Sequence, residues 1–399
     1  MEAVVIHCVV GESALALVRC IRCKGSEDDI TYWFGEVDSP ERRALLPDEI
    51  PDSPVVNAID ANCYSETLED IHFPFDEAVA NRRVDLGNVD DPVIATPDGV
   101  IELGVFSRQR RANRKHLKTR LLSKRLPAKS LISASRKMSF ASPELIIAQL
   151  AAKYTPVKLA QIIMEFTGTY SLSPDTFDSR YETRYGAPQV TTASRIRAMA
   201  QHMPRVVARH KLAAALEMAI EGSASPAETI IALMLSLPAE KGGYEMGVPV
   251  LNPRIQAPEN MREHLFQGEY YPDIFFQDCF ADVEYESTAF HLDPVTANWQ
   301  HHELALWRDV AADKAADDRR RMRELQALGV QVIPATHKDI VSVDNMDRLV
   351  WALALCRERS CGRKASSHME MLASYRNTMA RESLLETLKA DSTASLNRR

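Results

Sequence analysis

With 399 residues, 45% of them hydrophobic and few glycines, the chain has the composition of a core-forming protein of roughly two or three domains. The opening MEAVVIHCVVGESALALVRC lacks the basic n-region and clean apolar run of a signal peptide, and TIIALMLSLP is too short to cross a bilayer, so a cytoplasmic location is expected. The net charge of −7 conceals an uneven distribution: acids dominate between Glu27 and Glu102, whereas Ser107 to Lys137 carries many Lys and Arg and no acid.

In chain order, GESALALVRCIRC predicts a helix of roughly three turns from near Glu12, its apolar side carrying Ala14, Leu15, Leu17, Val18 and Ile21. Cys20 and Cys23, with His7 and Cys8 nearby, have a zinc-like spacing. No second Cys-x-x-Cys follows, however, and the two cysteines also fit one face of that helix. Seven scattered cysteines fit a reducing compartment. DSPERRALLPDEIPDSPVVNAID has turn chemistry and weak periodicity, and reads as loop. PVIATPDGVIELGVFS predicts two strands around Pro97-Asp98-Gly99 that lead into the basic segment 107–137. A stripe of this kind attracts phosphates, and Arg108, Arg110, Arg111, Arg114, Lys115, Lys118 and Arg120 are its candidate nucleic-acid contacts. The competing reading is a solvated loop or an internal partner for the acidic segment.

From Ser142 the pattern turns helical. SPELIIAQLAAKY has Ser142 as N-cap, Pro143 at the first position and Glu144 in the first turn. VKLAQIIMEFTG follows, then TTASRIRAMAQHM and PRVVARHKLAAALEMAIEG, separated at Pro204. Beyond Gly222 the predicted order is helix (SPAETIIALMLSLP), strand (EMGVPVLNPRI), strand (YPDIFF), strand (ADVEYES), helix (DKAADDRRRMRELQALG), strand (VQVIPAT) and helix (NMDRLVWALALCRER). The expected organisation is α+β to α/β: a mixed region at 1–140, a helical region at 141–221, an α-β-β-β-α-β core within 222–360, and a helix with a polar tail at 361–399.

The two strands YPDIFF and ADVEYES carry the chemistry. A turn at Asp278-Cys279 makes facing residues sum to one number, so Asp273 opposes Glu284. Directly opposed Cβ atoms lie about 4.5–5.5 Å apart, close enough for two carboxylates to share one hard cation. Alternation puts Glu286 beside Glu284 and puts Ile274, Phe276, Val283 and Tyr285 on the other, core-facing side. The competing reading is the acidic face of an edge hairpin.

Tyr271-Pro272-Asp273, Val283-Glu284-Tyr285-Glu286-Ser287, the charged helix with its following Gly and strand, and SPAETIIALML resemble, in that set, the PD-(D/E)XK nucleases. The nearer resemblance is to the bacterial group related to the very-short-patch repair endonuclease. It covers about Gly222 to Ile340. It implies a restriction-endonuclease-like fold and an endonuclease hydrolysing DNA phosphodiester bonds in phage defence or repair. Asp273 and Glu284 would hold Mg²⁺ or Mn²⁺, Glu286 and Glu228 would complete the acidic site, and Arg319 and Arg320 would contact nucleic acid. Glu286 stands where the family has Lys, a cationic role that Lys314, Arg319 or Arg320 would have to fill. The departure also admits an inactive, DNA-binding domain. Ser225 and Glu228 read equally well as a capping box. His291, His301 and His302 have two readings, as metal ligands or, more simply, as part of an inserted loop and helix. The strand pair, basic stretch and FASPELIIAQLA are similar in layout to AbiEi-type antitoxin and regulator proteins, which implies DNA as partner. Oligomeric state is left open.

Overall fold

The computed structural model describes residues 7–37, 42–44, 100–106, 108, 111, 113–114, 117–123, 126–127, 129–135, 138–174, 183–203, 206–286, 316–362 and 364–396. The described residues mix helices with several sheets and fall into two compact units. One is drawn from Met1–Pro40, Tyr64–Thr229 and Leu388–Arg399, the other from Glu41–Cys63 and Ile230–Thr387. Among the described residues no helix is long and apolar enough to cross a membrane.

In the first unit, strands β1 (His7–Val9), β2 (Ile101–Val105), β3 (Asn113–Arg114), β4 (Leu117–Leu121), β5 (Leu131–Ser135) and β6 (Met138–Ala141) form one sheet of order β3-β4-β2-β1-β6-β5. The basic segment thus supplies strands as well as connections. Helices α1 (Gly11–Lys24), α2 (Glu27–Phe34), α3 (Pro143–Leu150), α4 (Pro156–Phe166), α5 (Ala193–His202) and α6 (Arg209–Met218) accompany the sheet, with a short hairpin of β7 (Tyr170–Ser171) and β8 (Arg184–Tyr185). Local chemistry sets several of these starts. Ser142 Oγ accepts from Leu145 N at 3.3 Å, and Pro143 occupies the first helical position, where its missing N–H costs nothing.

Helix α1 is buried along most of its length, polar residues included. Arg19 makes a forked pair with Glu165 (Nη2 to Oε2 2.7 Å), and fully buried Arg22 donates to the carbonyls of Glu165, Gly168 and Pro188. Burial pulls the Arg22 guanidinium down to about 10, against the attraction of Glu165. Cys20 is buried and the Cys23 thiol donates to the Leu172 carbonyl at 3.4 Å, so both cysteines serve the helix's packing face.

Helix α7 (Pro226–Ser236) leads into the second unit. There β9 (Val250–Leu251), β12 (Ile274–Phe276), β13 (Ala281–Glu286) and β14 (Gln331–Thr336) form a four-stranded sheet of order β14-β13-β12-β9. A separate ribbon pairs β10 (Ile255–Gln256) with β11 (Glu269–Tyr270). Strands β9, β12 and β13 are successively antiparallel, and β14 returns parallel to β13 after helix α8, residues 316–327. Helices α9 (Val343–Cys361), α10 (Ala365–Leu372) and α11 (Tyr375–Leu396) follow, α11 running into the segment expected to be a polar tail. Ile255, Ala257, Tyr270, Phe275, Leu325, Leu328 and Val330 form a core that fastens α8 to the sheet.

Candidate active site

The hairpin register is Ile274↔Val283, Phe275↔Asp282 and Phe276↔Ala281. Continued one step, it sets Asp273 opposite Glu284, the pairing expected from the turn at Asp278-Cys279. The hairpin is not an edge, because β9 covers one side of β12 and β14 one side of β13. The acid-bearing face is covered as well as the core face, because Phe275 on it packs in one cluster with Leu325, Leu328 and Val330. Ile274 and Val283 are inaccessible on one side, and Phe275 and Asp282 are equally inaccessible on the other. The competing reading of a solvent-exposed acidic edge hairpin does not hold, since β12 and β13 are inner strands and their acid-bearing face is buried at Phe275 and Asp282.

Each acid is fixed by identifiable groups. Pro272 precedes β12, whose pairing starts at Ile274, so the Tyr285 N–H lies beyond the paired stretch and donates to Asp273 Oδ2 at 2.8 Å. Burial pushes the Asp273 carboxyl above the ordinary carboxylate range. The Tyr285 amide and Arg321 oppose that shift, and Asp318 adds to it. Glu284 is 8% exposed, and its Oε1 contacts Arg321 Nη2 while its Oε2 is buried without a partner. Glu286 lies at the half-buried end of the same strand.

Two residues that sequence reasoning passed over complete the cluster. Asp282 shares the face of Glu284 by simple alternation, a signal that was present. Its Oδ1 accepts from Ile274 N at 3.2 Å and its Oδ2 is buried without a partner. Burial, and next the negative charge of Asp273, drives its pKa well above that of a free carboxyl. Arg321 is the second. Its Nη2 contacts Glu284 and lies 3.8 Å from Asp273 Oδ1, and its Nη1 is 3.5 Å from the Tyr271 carbonyl. Of the cations expected for this role, Arg320 instead pairs with Asp317 at 3.3 Å and stacks on the exposed Phe266 ring at 4.6 Å. Arg319 is exposed, and Lys314 lies outside the described residues. Helix α8 is clamped beside the hairpin through Glu324, which accepts from Phe266 N at 3.0 Å and Tyr270 Oη at 2.7 Å.

Glu228 stands at the start of α7, in the first unit. Its N–H donates to Ser225 Oγ at 3.1 Å, the Ser half of a capping box, while its carboxylate accepts from Ala224 N, one residue before Ser225, at 2.8 Å. In the basic segment, Lys118 and Arg120 ion-pair with buried Glu102, at 3.3 and 3.1 Å. Burial raises the Glu102 carboxyl, but Arg120, the Glu12 amide and Lys118 outweigh it and leave it below the ordinary range. Arg108 and Arg111 are exposed. The side chains of Arg110, Arg114 and Lys115, and residues His291, His301 and His302, lie outside the described residues.

Among the described residues no group of three or more His, Cys, Asp or Glu side chains is arranged to hold a metal ion. A hard divalent cation that keeps its waters needs only one or two carboxylates. The Asp273–Glu284 pair, with Glu284 Oε2 unpartnered, supplies two carboxylates. Comparison with family models, with curated proteins and with solved structures finds no match to this chain.

Proposed function

We propose that the second unit is a metal-dependent phosphodiester hydrolase acting on nucleic acid, with DNA as the first substrate to test. The observation that carries this is the register that sets Asp273 opposite Glu284 on inner strands, beside a helix bearing Arg319, Arg320, Arg321 and Arg323. The order helix, three antiparallel strands, helix and parallel strand supports the nuclease-like reading.

Asp273 and Glu284 would hold Mg²⁺ or Mn²⁺. Bound there, the ion would supply an activated water and neutralise phosphate charge. The chain's own residues set the rest. The Tyr285 amide fixes the Asp273 carboxylate, β14 backs the strand carrying Glu284, and the arginines of α8 offer phosphate contacts. Glu286 is the adjacent acid on the same face. Glu228, engaged at its own helix start, is not part of this proposal.

The test is cleavage of single- and double-stranded DNA by the full chain with Mg²⁺ or Mn²⁺. Wild type should cut, and Asp273→Ala/Glu284→Ala should lose about 10³-fold or more of the rate, since about 4 kcal/mol of barrier lowering would go with the metal. Equal inactivity of both proteins on every substrate would discard the enzyme reading.

One observation favours a second reading. Arg321 already sits on the acid pair, and Glu286 replaces the lysine of the resembled family. On that reading the unit is a hydrolytically silent, DNA-binding scaffold of a regulator or antitoxin-like protein. Salt-sensitive binding without any metal requirement would then accompany absent cleavage.

A further inference from the structure

We infer that Arg321 is a phosphate-binding residue whose resting partner is the acid pair: a nucleic-acid phosphate draws it off Asp273 and Glu284, and the vacated pair then accepts a divalent cation. This rests on the hydrolase reading and adds to it the residue that couples substrate to metal.

Four observations support the exchange. First, Arg321 Nη2 lies against both carboxylates, and Nη1 is 3.5 Å from the Tyr271 carbonyl. A guanidinium can present two parallel N–H groups to a phosphate, the geometry that makes such pairs strong. Second, the Arg321 side chain is 33% exposed, against 17% for Asp273 and 11% for Glu284. The cation can swing toward solvent, whereas the acids are tied down, Asp273 by the Tyr285 amide and Glu284 within the sheet. Third, one guanidinium serves a cluster of three acids, and buried oxygens of Glu284 and Asp282 have no partner. Unpartnered buried acceptors mark an incompletely satisfied cluster, which would be worse without a cation once Arg321 departs. Fourth, Arg319 and Arg323 are exposed one turn apart on the same helix, and Arg320 lies over exposed Phe266, so α8 carries further phosphate-attracting charge and a stacking face beyond Arg321 itself.

The exchange is a linkage between two ligands, so it is reciprocal. Nucleic acid should raise cation affinity by roughly tenfold or more, and the cation should tighten nucleic-acid binding by the same factor. The experiment titrates Mn²⁺ into the full chain, followed by its paramagnetic resonance signal, alone, with inorganic phosphate, and with a mixed-sequence oligodeoxynucleotide. Wild type should bind Mn²⁺ weakly alone and with inorganic phosphate, and more tightly with the oligonucleotide. Arg321→Ala should bind tightly without it, and Asp273→Asn/Glu284→Gln should abolish both responses. Should Arg321→Ala fail to fold, Arg321→Gln, which removes charge but keeps length, should bind as tightly. Arg321→Lys, which keeps the charge, should remain weak without oligonucleotide, a contrast that a purely structural role would not give.

Acid-dependent Mn²⁺ binding that is equal with and without oligonucleotide would overturn the exchange and leave the hydrolase reading standing. A full response to inorganic phosphate would overturn nucleic acid as the source of the phosphate. If no protein shows acid-dependent Mn²⁺ binding under any condition, both readings fall.

Discussion

Asp282 accepts a hydrogen bond from the backbone N–H of Ile274, the residue diagonal to it across the hairpin, and leaves its other oxygen buried without a partner. An acid so placed is a pH sensor of stability. Burial and the neighbouring Asp273 hold its native pKa well above the free value of 3.8, so the native state retains a proton that the unfolded chain releases. Its contribution is therefore most favourable below 3.8 and declines as pH rises from there to the native pKa. Asp282→Asn keeps the acceptor for Ile274 and removes the charge. It should flatten this decline and raise stability near neutral pH by roughly 1–3 kcal/mol. Urea unfolding of both proteins between about pH 4 and pH 8 measures this, and parallel stability curves would refute it.

The start of α7 makes a different prediction. Ser225→Ala and Glu228→Ala should each cost about 1 kcal/mol, with the double variant costing less than the sum because the two side chains serve one helix start. Neither should change acid-dependent Mn²⁺ binding. A metal defect in Glu228→Gln, at preserved stability, would return Glu228 to the site.

Gly11 is the first residue of α1, at φ +60, and a Cβ there would meet the Glu102 carboxylate. That carboxylate accepts from Glu12 N at 3.1 Å at the helix start and pairs with Arg120. Gly11→Ala must therefore bear left-handed strain of about 1–3 kcal/mol and also displace a buried acid from its partners. A fall of more than about 3 kcal/mol is expected in denaturant unfolding, and a change within error would show that this junction relaxes freely.

The basic segment separates into two groups. Lys118 and Arg120 already share buried Glu102, whereas Arg108 and Arg111 are exposed. If the segment contacts nucleic acid, Arg108→Gln/Arg111→Gln should weaken binding and reduce the log–log salt slope by about 0.9 per lost phosphate contact. Binding unchanged over a salt series would assign the segment to the sheet alone.

What the sequence determined by itself is local. Ser142 before Pro143, Ser225 before Glu228 and the turn at Asp278-Cys279 act within a few residues, so the helix starts and the opposition of Asp273 to Glu284 were legible without coordinates. Period-two alternation also placed Asp282 beside Glu284, but not its burial. Burial depends on what packs on that face, where Phe275 meets Leu325, Leu328 and Val330, residues far from it in the chain. The choice of Arg321 over its neighbours Arg319 and Arg320 was likewise decided only by tertiary structure. Three consecutive arginines are equivalent in composition. Which one reaches the acid pair follows from the angle at which Leu325, Leu328 and the Glu324 clamp seat α8 against the sheet.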